Sequence, residues 1–77
     1  MKYSLVVKPK AQRQFLRLDR AVQSRLGEAM SALRENPRPH GCLKMKGVDA
    51  YRIRIGEYRI VYEIEDEIQF ARFGTCP

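Results

Sequence analysis

The sequence predicts an α+β fold in which a helical hairpin packs on one face of a small antiparallel sheet, in the order β-α-α-β-β-β. Apolar residues recur at helical spacing in the first half of the chain, and they alternate with the period of a strand in the second half. The chain has 77 residues, too few for more than one domain. We therefore expect a single domain over residues 1–77.

The N-terminal segment predicts a strand followed by a short helix. Residues 3–7 are rich in β-forming side chains, which favours a strand. Pro9 suits the first position of a helix, because the nitrogen of a proline needs no hydrogen-bond partner there. Ala11, Phe15 and Leu18 then recur at helical spacing. The pattern predicts an amphipathic helix.

A second helix is predicted to follow Asp19, a residue type that favours the N-cap position. Its apolar stripe consists of Val22, Leu26, Ala29 and Leu33. Asn36–Pro37 should end it, because a residue before proline is disfavoured in the helical region. The two helices together predict a helical hairpin, which a loop over residues 36–42 connects to the rest of the chain.

Beyond residue 42 the pattern predicts strands. Residues 43–48 favour a short strand in which Leu43, Met45 and Val48 bracket Lys44 and Lys46. Residues 51–55 and 58–64 predict a hairpin, since the link Gly56–Glu57 has the glycine that a type II′ turn requires first. A second tight turn at Asp66–Glu67 should lead into a last strand over residues 68–73.

The alternation places tyrosines and isoleucines on one face of this hairpin and arginines on the other. We expect Tyr51, Tyr58 and Tyr62 to pack under the helices, which leaves the opposite face in water. Phe70 and Phe73 in the last strand are expected in the core or at a partner contact. Arg52, Arg54 and Arg59 should then lie on the open face of two neighbouring strands, and Lys44 and Lys46 could extend the same patch.

The charge balance favours a polyanionic partner. Fifteen lysines and arginines against nine acidic residues give a net charge of +6. Guanidinium groups bind phosphate oxygens in a two-pronged geometry and stay charged at any working pH. Two interpretations of the arginine face remain open. It is either a solvated surface, which Glu57 and Glu63 neutralise, or a phosphate-binding surface.

The sequence favours no metal and no cofactor. Cys42, Cys76 and His40 do not form a zinc-binding pattern, and the two cysteines are expected to be free and reduced. The N-terminus carries only a four-residue apolar run, too short for an export signal, and no run is long enough to cross a bilayer. We therefore expect a cytoplasmic protein.

The stretch from Tyr51 to Ile64, YRIRIGEYRIVYEI, resembles the signature hairpin of the RelE/ParE toxin superfamily. Residues 43–47, LKMKG, resemble that family's leucine-lysine-glycine segment, and the helical hairpin before them also fits. The resemblance extends from residue 1 to about residue 74. It implies the RelE-like fold and a toxin of a toxin–antitoxin pair, which an acidic, co-encoded antitoxin neutralises.

The resemblance to the RelE branch implies a ribosome-dependent endonuclease that cuts mRNA in the ribosomal A site. It assigns catalysis to Arg52, Arg54 and Arg59, whose charges would stabilise the scissile phosphate. Phosphate binding is predicted for Lys44, Lys46 and Arg72. His40 is the candidate acid or base, because its side chain has an ordinary pKa near neutrality.

One departure from the family keeps two further interpretations open. Cys76 stands about where the RelE branch has an arginine, and a tyrosine that follows in that branch has no counterpart before Pro77. The arginines would then form only part of a site. The alternatives are a ParE-like inhibitor of DNA gyrase without enzymatic activity, and a catalytically inactive RelE-like protein that still binds antitoxin or RNA.

Overall fold

The computed structural model describes residues 3–47 and 49–75, which form two helices and a five-stranded sheet. The helices are α1 (Pro9–Leu16) and α2 (Arg20–Leu33). The strands are β1 (Ser4–Val7), β2 (Leu43–Lys44), β3 (Ala50–Ile55), β4 (Tyr58–Ile64) and β5 (Glu67–Thr75). The predicted α+β fold, with a helical hairpin on one face of the sheet, is confirmed.

The sheet has the order β1-β5-β4-β3-β2. Three of its four pairings are antiparallel, but β1 pairs with β5 in parallel, with Ser4 opposite Glu67. A parallel pair needs a long crossover, and the rest of the chain supplies it. The short strand predicted after the helices is present as β2 and brings the sheet to five strands, one more than the order β-α-α-β-β-β counts.

The core lies between the helices and one face of the sheet. Helix α2 contributes Leu26, Met30 and Leu33, and α1 contributes Ala11. The sheet contributes Ile60, Tyr62, Ile68, Phe70 and Phe73, all nearly inaccessible to solvent. The predicted inward face of the hairpin is confirmed, since Tyr51 and Tyr58 pack against this core.

The helices begin where the sequence predicts. Pro9 occupies the start of α1, and Asp19 takes the N-cap position of α2. The Asp19 side chain makes no capping hydrogen bond, so the backbone alone forms this cap. Helix α2 ends at Leu33, shortly before Asn36–Pro37. Within the described ranges, neither helix is long and apolar enough to span a bilayer.

The turns and strand ends differ slightly from the prediction. Gly56 has a φ of +61° and joins β3 to β4 in a two-residue link, as a type II′ turn requires. The second turn lies one residue earlier than predicted, at residues 65–66, because β5 begins at Glu67. The predicted short strand over residues 43–48 comprises only Leu43–Lys44, and Val48 lies outside the described residues.

Candidate nucleic-acid interface

Four arginines lie together on the face of the sheet that the helices leave open. Arg52 is opposite Val61, and Val61 is opposite Arg72. In the next row Arg54 is opposite Arg59. Paired residues of neighbouring strands project to the same face, so Arg52, Arg54, Arg59 and Arg72 form one surface, which we call the arginine face.

A β-bulge places Arg72 on this face. The register of β4 with β5 shifts between Val61 and Tyr62, so that Val61 is opposite Arg72 while Tyr62 is opposite Phe70. Ala71 is the extra residue, and both Phe70 and Phe73 face the core although they are three positions apart. Uninterrupted alternation from Phe70 would have directed Arg72 into the core.

Arg54 and Arg59 form the most charged part of the arginine face. They are directly opposite each other, with Cβ atoms about 5 Å apart, and like charges in this position oppose folding. Gly74 lies opposite Arg59 on the other side, and a Cβ at Gly74 would meet no atom within 4 Å. An open position beside two guanidinium groups can accommodate an anion such as a phosphate.

The two acidic residues that could neutralise the arginine face form no described ion pair with its arginines. The Lys8 Nζ lies 3.4 Å from Oε1 of Glu63 and pairs with that carboxylate instead. Glu57 lies in the β3–β4 turn and takes part in neither of the ion pairs that the described residues form with one another. Among these residues the positive charge of the arginine face therefore has no ion-pair partner.

The two lysines predicted to extend the patch lie elsewhere. Lys44 is opposite Tyr51, on the helix-covered side of the sheet, and Leu43 takes the place opposite Arg52. The Lys44 Nζ pairs with Asp49 across 3.8 Å. Lys46 lies in the turn between β2 and β3, which precedes β3, whereas Gly56 follows the far end of that strand. The prediction that Lys44 shares a face with the arginines was wrong, because the strand is shifted by one residue relative to the expected alternation.

His40 lies in a loop that is held against the helix-covered face. Tyr62 donates a hydrogen bond to the carbonyl oxygen of Pro37 across 2.9 Å, and Arg38 Nε donates one to the Tyr51 hydroxyl across 3.1 Å. No described hydrogen bond joins His40 to an arginine of the arginine face. The structure therefore does not bring the candidate acid or base to the arginines.

The same loop creates a polar cluster that sequence reasoning missed. The Arg38 guanidinium lies 5.3 Å from the centre of the Tyr51 ring, and the hydrogen bond to that tyrosine raises the pKa of Arg38. Burial raises the pKa of Tyr62, to which the neighbouring Cys42 also contributes. Both effects keep these side chains protonated, so the cluster supports the loop and supplies no base.

The tyrosines of the hairpin are not available for stacking on bases. Tyr62 is fully buried, and its ring lies 6.0 Å from that of Tyr51. Tyr58 also packs against the core. A nucleic acid on the arginine face would accordingly meet charge without an aromatic platform. Cys76 and Pro77, where the sequence departs from the RelE branch, lie outside the described residues.

A family model described as the ParE toxin of the type II toxin–antitoxin system, parDE, matches residues 5–75 of this chain. No curated protein sequence matches it significantly. Among solved structures, the isolated RelE toxin of E. coli is 23% identical, with a TM-score of 0.86 over 97% of this chain and 85% of that one.

Two toxin–antitoxin complexes contain similar chains. The RelBE2 complex of Mycobacterium tuberculosis gives a TM-score of 0.83 at 21% identity, over 99% of this chain and all of that one. The archaeal RelE–RelB complex from Pyrococcus horikoshii gives 0.81 at 24% identity, over 97% and 96%. At these identities the structures establish a shared fold.

Proposed function

Because the chain belongs to the ParE toxin family of type II toxin–antitoxin systems, we propose that this toxin is a ribosome-dependent endonuclease that cleaves mRNA in the A site. The arginine face carries this proposal. Four arginines on one face, two of them directly opposite each other and none in a described ion pair, match the charge of a phosphodiester backbone. Blocking translation in the cytoplasm would be its effect.

The arginines would act on the charge that develops during cleavage. The 2′-hydroxyl of the RNA attacks the adjacent phosphorus, loses its proton, and forms a cyclic phosphate as the bond to the 5′-oxygen breaks. Negative charge grows on the phosphate oxygens in the transition state, where Arg54 and Arg59 would stabilise it. Arg52 would share in this stabilisation, and Arg72 would bind a neighbouring phosphate.

The proton transfers require other groups. An arginine with a pKa above about 12 cannot accept the proton of the 2′-hydroxyl at neutral pH. His40 remains our candidate for the acid or base, although the fold holds its loop against the other face. Lys44 and Lys46 would bind phosphates at the edge of the sheet. A His40→Gln variant that cuts mRNA at the wild-type rate would remove His40 from this role.

The partner we propose is an acidic, co-encoded antitoxin that covers the arginine face. Two of the similar chains are in complexes with antitoxins, and the exposed Arg52, Arg54 and Arg72 would attract an acidic partner whenever RNA is absent. Such a partner would exclude RNA from the same surface. Antitoxin binding that left mRNA cleavage unchanged would contradict this proposal.

The test combines purified protein, ribosomes and a defined mRNA, with the cuts mapped by primer extension. We expect cuts in the A-site codon, and we expect Arg59→Ala to reduce them at least tenfold. Glu67→Ala is the matched control, because Glu67 lies at the acidic end of the same face. No cutting by folded wild-type protein would reject the nuclease.

A second candidate function follows from the family model itself, since the matching model is that of the ParE toxin. In this alternative the protein inhibits DNA gyrase without cutting RNA. Loss of gyrase supercoiling activity in the presence of the protein, together with intact mRNA on ribosomes, would favour it. If the protein neither inhibits gyrase nor cuts mRNA, but still binds RNA or antitoxin, it is a catalytically inactive member of the superfamily.

A further inference from the structure

An arginine from helix α2 reaches the tip of the β3–β4 hairpin. A Cβ atom placed on Gly56 would lie 2.8 Å from an Nη atom of Arg25 and 3.5 Å from its Cζ. Gly56 also has a φ of +61°, a conformation that glycine adopts without strain. Because Gly56 has no side chain, it can adopt the backbone conformation of the turn, and it leaves space for the Arg25 guanidinium.

A second guanidinium approaches the same residue from the other side. Arg54 Nε donates a hydrogen bond to the carbonyl oxygen of Gly56 across 3.2 Å. Arg54 belongs to the arginine face, whereas Arg25 comes from the helix layer. Positive charge thus continues from the arginine face around the tip of the hairpin to α2.

No described carboxylate compensates this charge. Glu57 completes the turn, but neither of the ion pairs among the described residues includes Arg25, Arg54 or Glu57. Both Arg25 and Arg54 are exposed. Two exposed cations held near one residue repel each other, and an anion bound between them would relieve the repulsion.

We propose that the hairpin tip, formed by Arg25, Gly56 and Arg54, is a second binding site for a phosphodiester group of single-stranded RNA. The inference rests on the proposed function, because it extends the path of the same RNA beyond the arginine face. A strand that passes over Arg59 and Arg54 would continue around the turn and place its next phosphate against Arg25. Two-pronged contacts from Arg25 would fix its direction.

The test measures binding of a single-stranded oligonucleotide with 2′-O-methyl groups, which cannot be cleaved because the attacking hydroxyl is blocked. Affinity is measured at several salt concentrations. Each phosphate contact contributes about 0.7 to the slope of log affinity against log salt. We expect Arg25→Gln to reduce the slope by about that amount and Arg25→Lys to preserve it.

Arg34→Gln is the control, because Arg34 is the C-cap residue of α2 and donates a hydrogen bond to the carbonyl oxygen of Tyr3 near the β1 edge. It should leave the slope unchanged. Gly56→Ala should weaken binding as Arg25→Gln does, since the added methyl group displaces the guanidinium. An unchanged slope for Arg25→Gln, alongside a reduced slope for Arg54→Gln, would overturn the inference.

The two proposals can fail separately. Oligonucleotide binding that depends on Arg25, without cutting of mRNA on ribosomes, would retain the hairpin-tip site and reject the nuclease. Cutting on ribosomes, together with oligonucleotide binding that does not depend on Arg25, would retain the nuclease and reject the hairpin-tip site. Wild-type protein that fails to bind the oligonucleotide would also overturn the hairpin-tip site, whatever the ribosomal assay shows.

Discussion

At the scale of single residues, the arginine face opposes the stability of the fold. Arg54 and Arg59 are directly opposite each other, while Arg52 on the same strand is opposite the uncharged Val61. A cross-strand pair of like charges is destabilising, and its two charges repel most strongly at low salt. The chain therefore contains its own comparison between a charged pair and an uncharged one.

We predict that Arg54→Gln raises the free energy of unfolding by about 0.2–1 kcal/mol at low salt, because it removes the repulsion from Arg59. Arg52→Gln is the matched control and should change the stability less. The measurement is urea-induced unfolding followed by circular dichroism, and the gain should shrink at high salt. Equal effects of the two substitutions would show that the pairing is not the cause.

Tyr62 makes stability depend on pH in the alkaline range. Burial raises the pKa of its hydroxyl in the native state, while an unfolded tyrosine ionises near pH 10. Above that pH the unfolded chain loses a proton that the native chain keeps, so the native state becomes less stable as pH rises.

We therefore predict that the stability advantage of wild type over Tyr62→Phe shrinks above pH 10. At pH 8 the lost hydrogen bond to Pro37 should cost about 1 kcal/mol. Above pH 10, the difference in free energy of unfolding between wild type and Tyr62→Phe should fall by about 1.4 kcal/mol per pH unit. Urea unfolding at pH 8 and pH 11 measures it, and comparison with the variant cancels the other titrating groups. A constant difference would contradict the prediction.

At the scale of elements, the period of the sequence predicts the helices and the hairpin but not the registers. Alternation in residues 51–64 is long enough to determine which face is buried. The segment 43–48 is too short for this, and its pairing in the fold inverts the expected faces of Leu43 and Lys44. The bulge at Ala71 is equally local, and its one trace in the sequence is the three-residue spacing of Phe70 and Phe73.

Helix α2 contains a glycine that its packing does not require. A Cβ at Gly27 would meet no atom within 4 Å outside the helix. We predict that Gly27→Ala raises the free energy of unfolding by about 0.5–1 kcal/mol, because alanine restricts the unfolded chain. Thermal and urea unfolding both measure the change.

Gly56→Ala serves as the contrasting control for that prediction. At a φ of +61° an alanine costs about 1–2 kcal/mol, so this substitution should lower the stability. A loss of stability in Gly27→Ala would mean that α2 packs more tightly at this position than the structure indicates.

At the scale of the whole molecule, the sequence predicts the layers and the open face, whereas contacts between distant segments had to come from the fold. The pairing of Lys8 with Glu63 and the approach of Arg25 to Gly56 join residues far apart in the chain. Neither contact leaves a periodic trace in the sequence. The parallel pairing of β1 with β5 is of the same kind.

We predict that hydrogen exchange follows the order of strands in the sheet. Strand β4 lies at the centre, between β3 and β5, while β2 is a two-residue edge strand. The amides of Ile60 and Tyr62 should exchange at least about 100-fold more slowly than those of Leu43 and Lys44. Exchange resolved by nuclear magnetic resonance gives each rate, and similar rates in β2 and β4 would contradict the prediction.

The parallel pairing of β1 with β5 also determines when the protein can fold during its own synthesis. The first strand has no partner until Glu67–Thr75 has been made, and Ile68, Phe70 and Phe73 of the core come from that same segment. Nascent chains halted at residue 66 should therefore remain sensitive to protease, whereas chains that have cleared the exit tunnel past residue 75 should resist it. The arginine face would thus form only after the ribosome has completed β5. The toxin would therefore become active only when its synthesis is nearly complete.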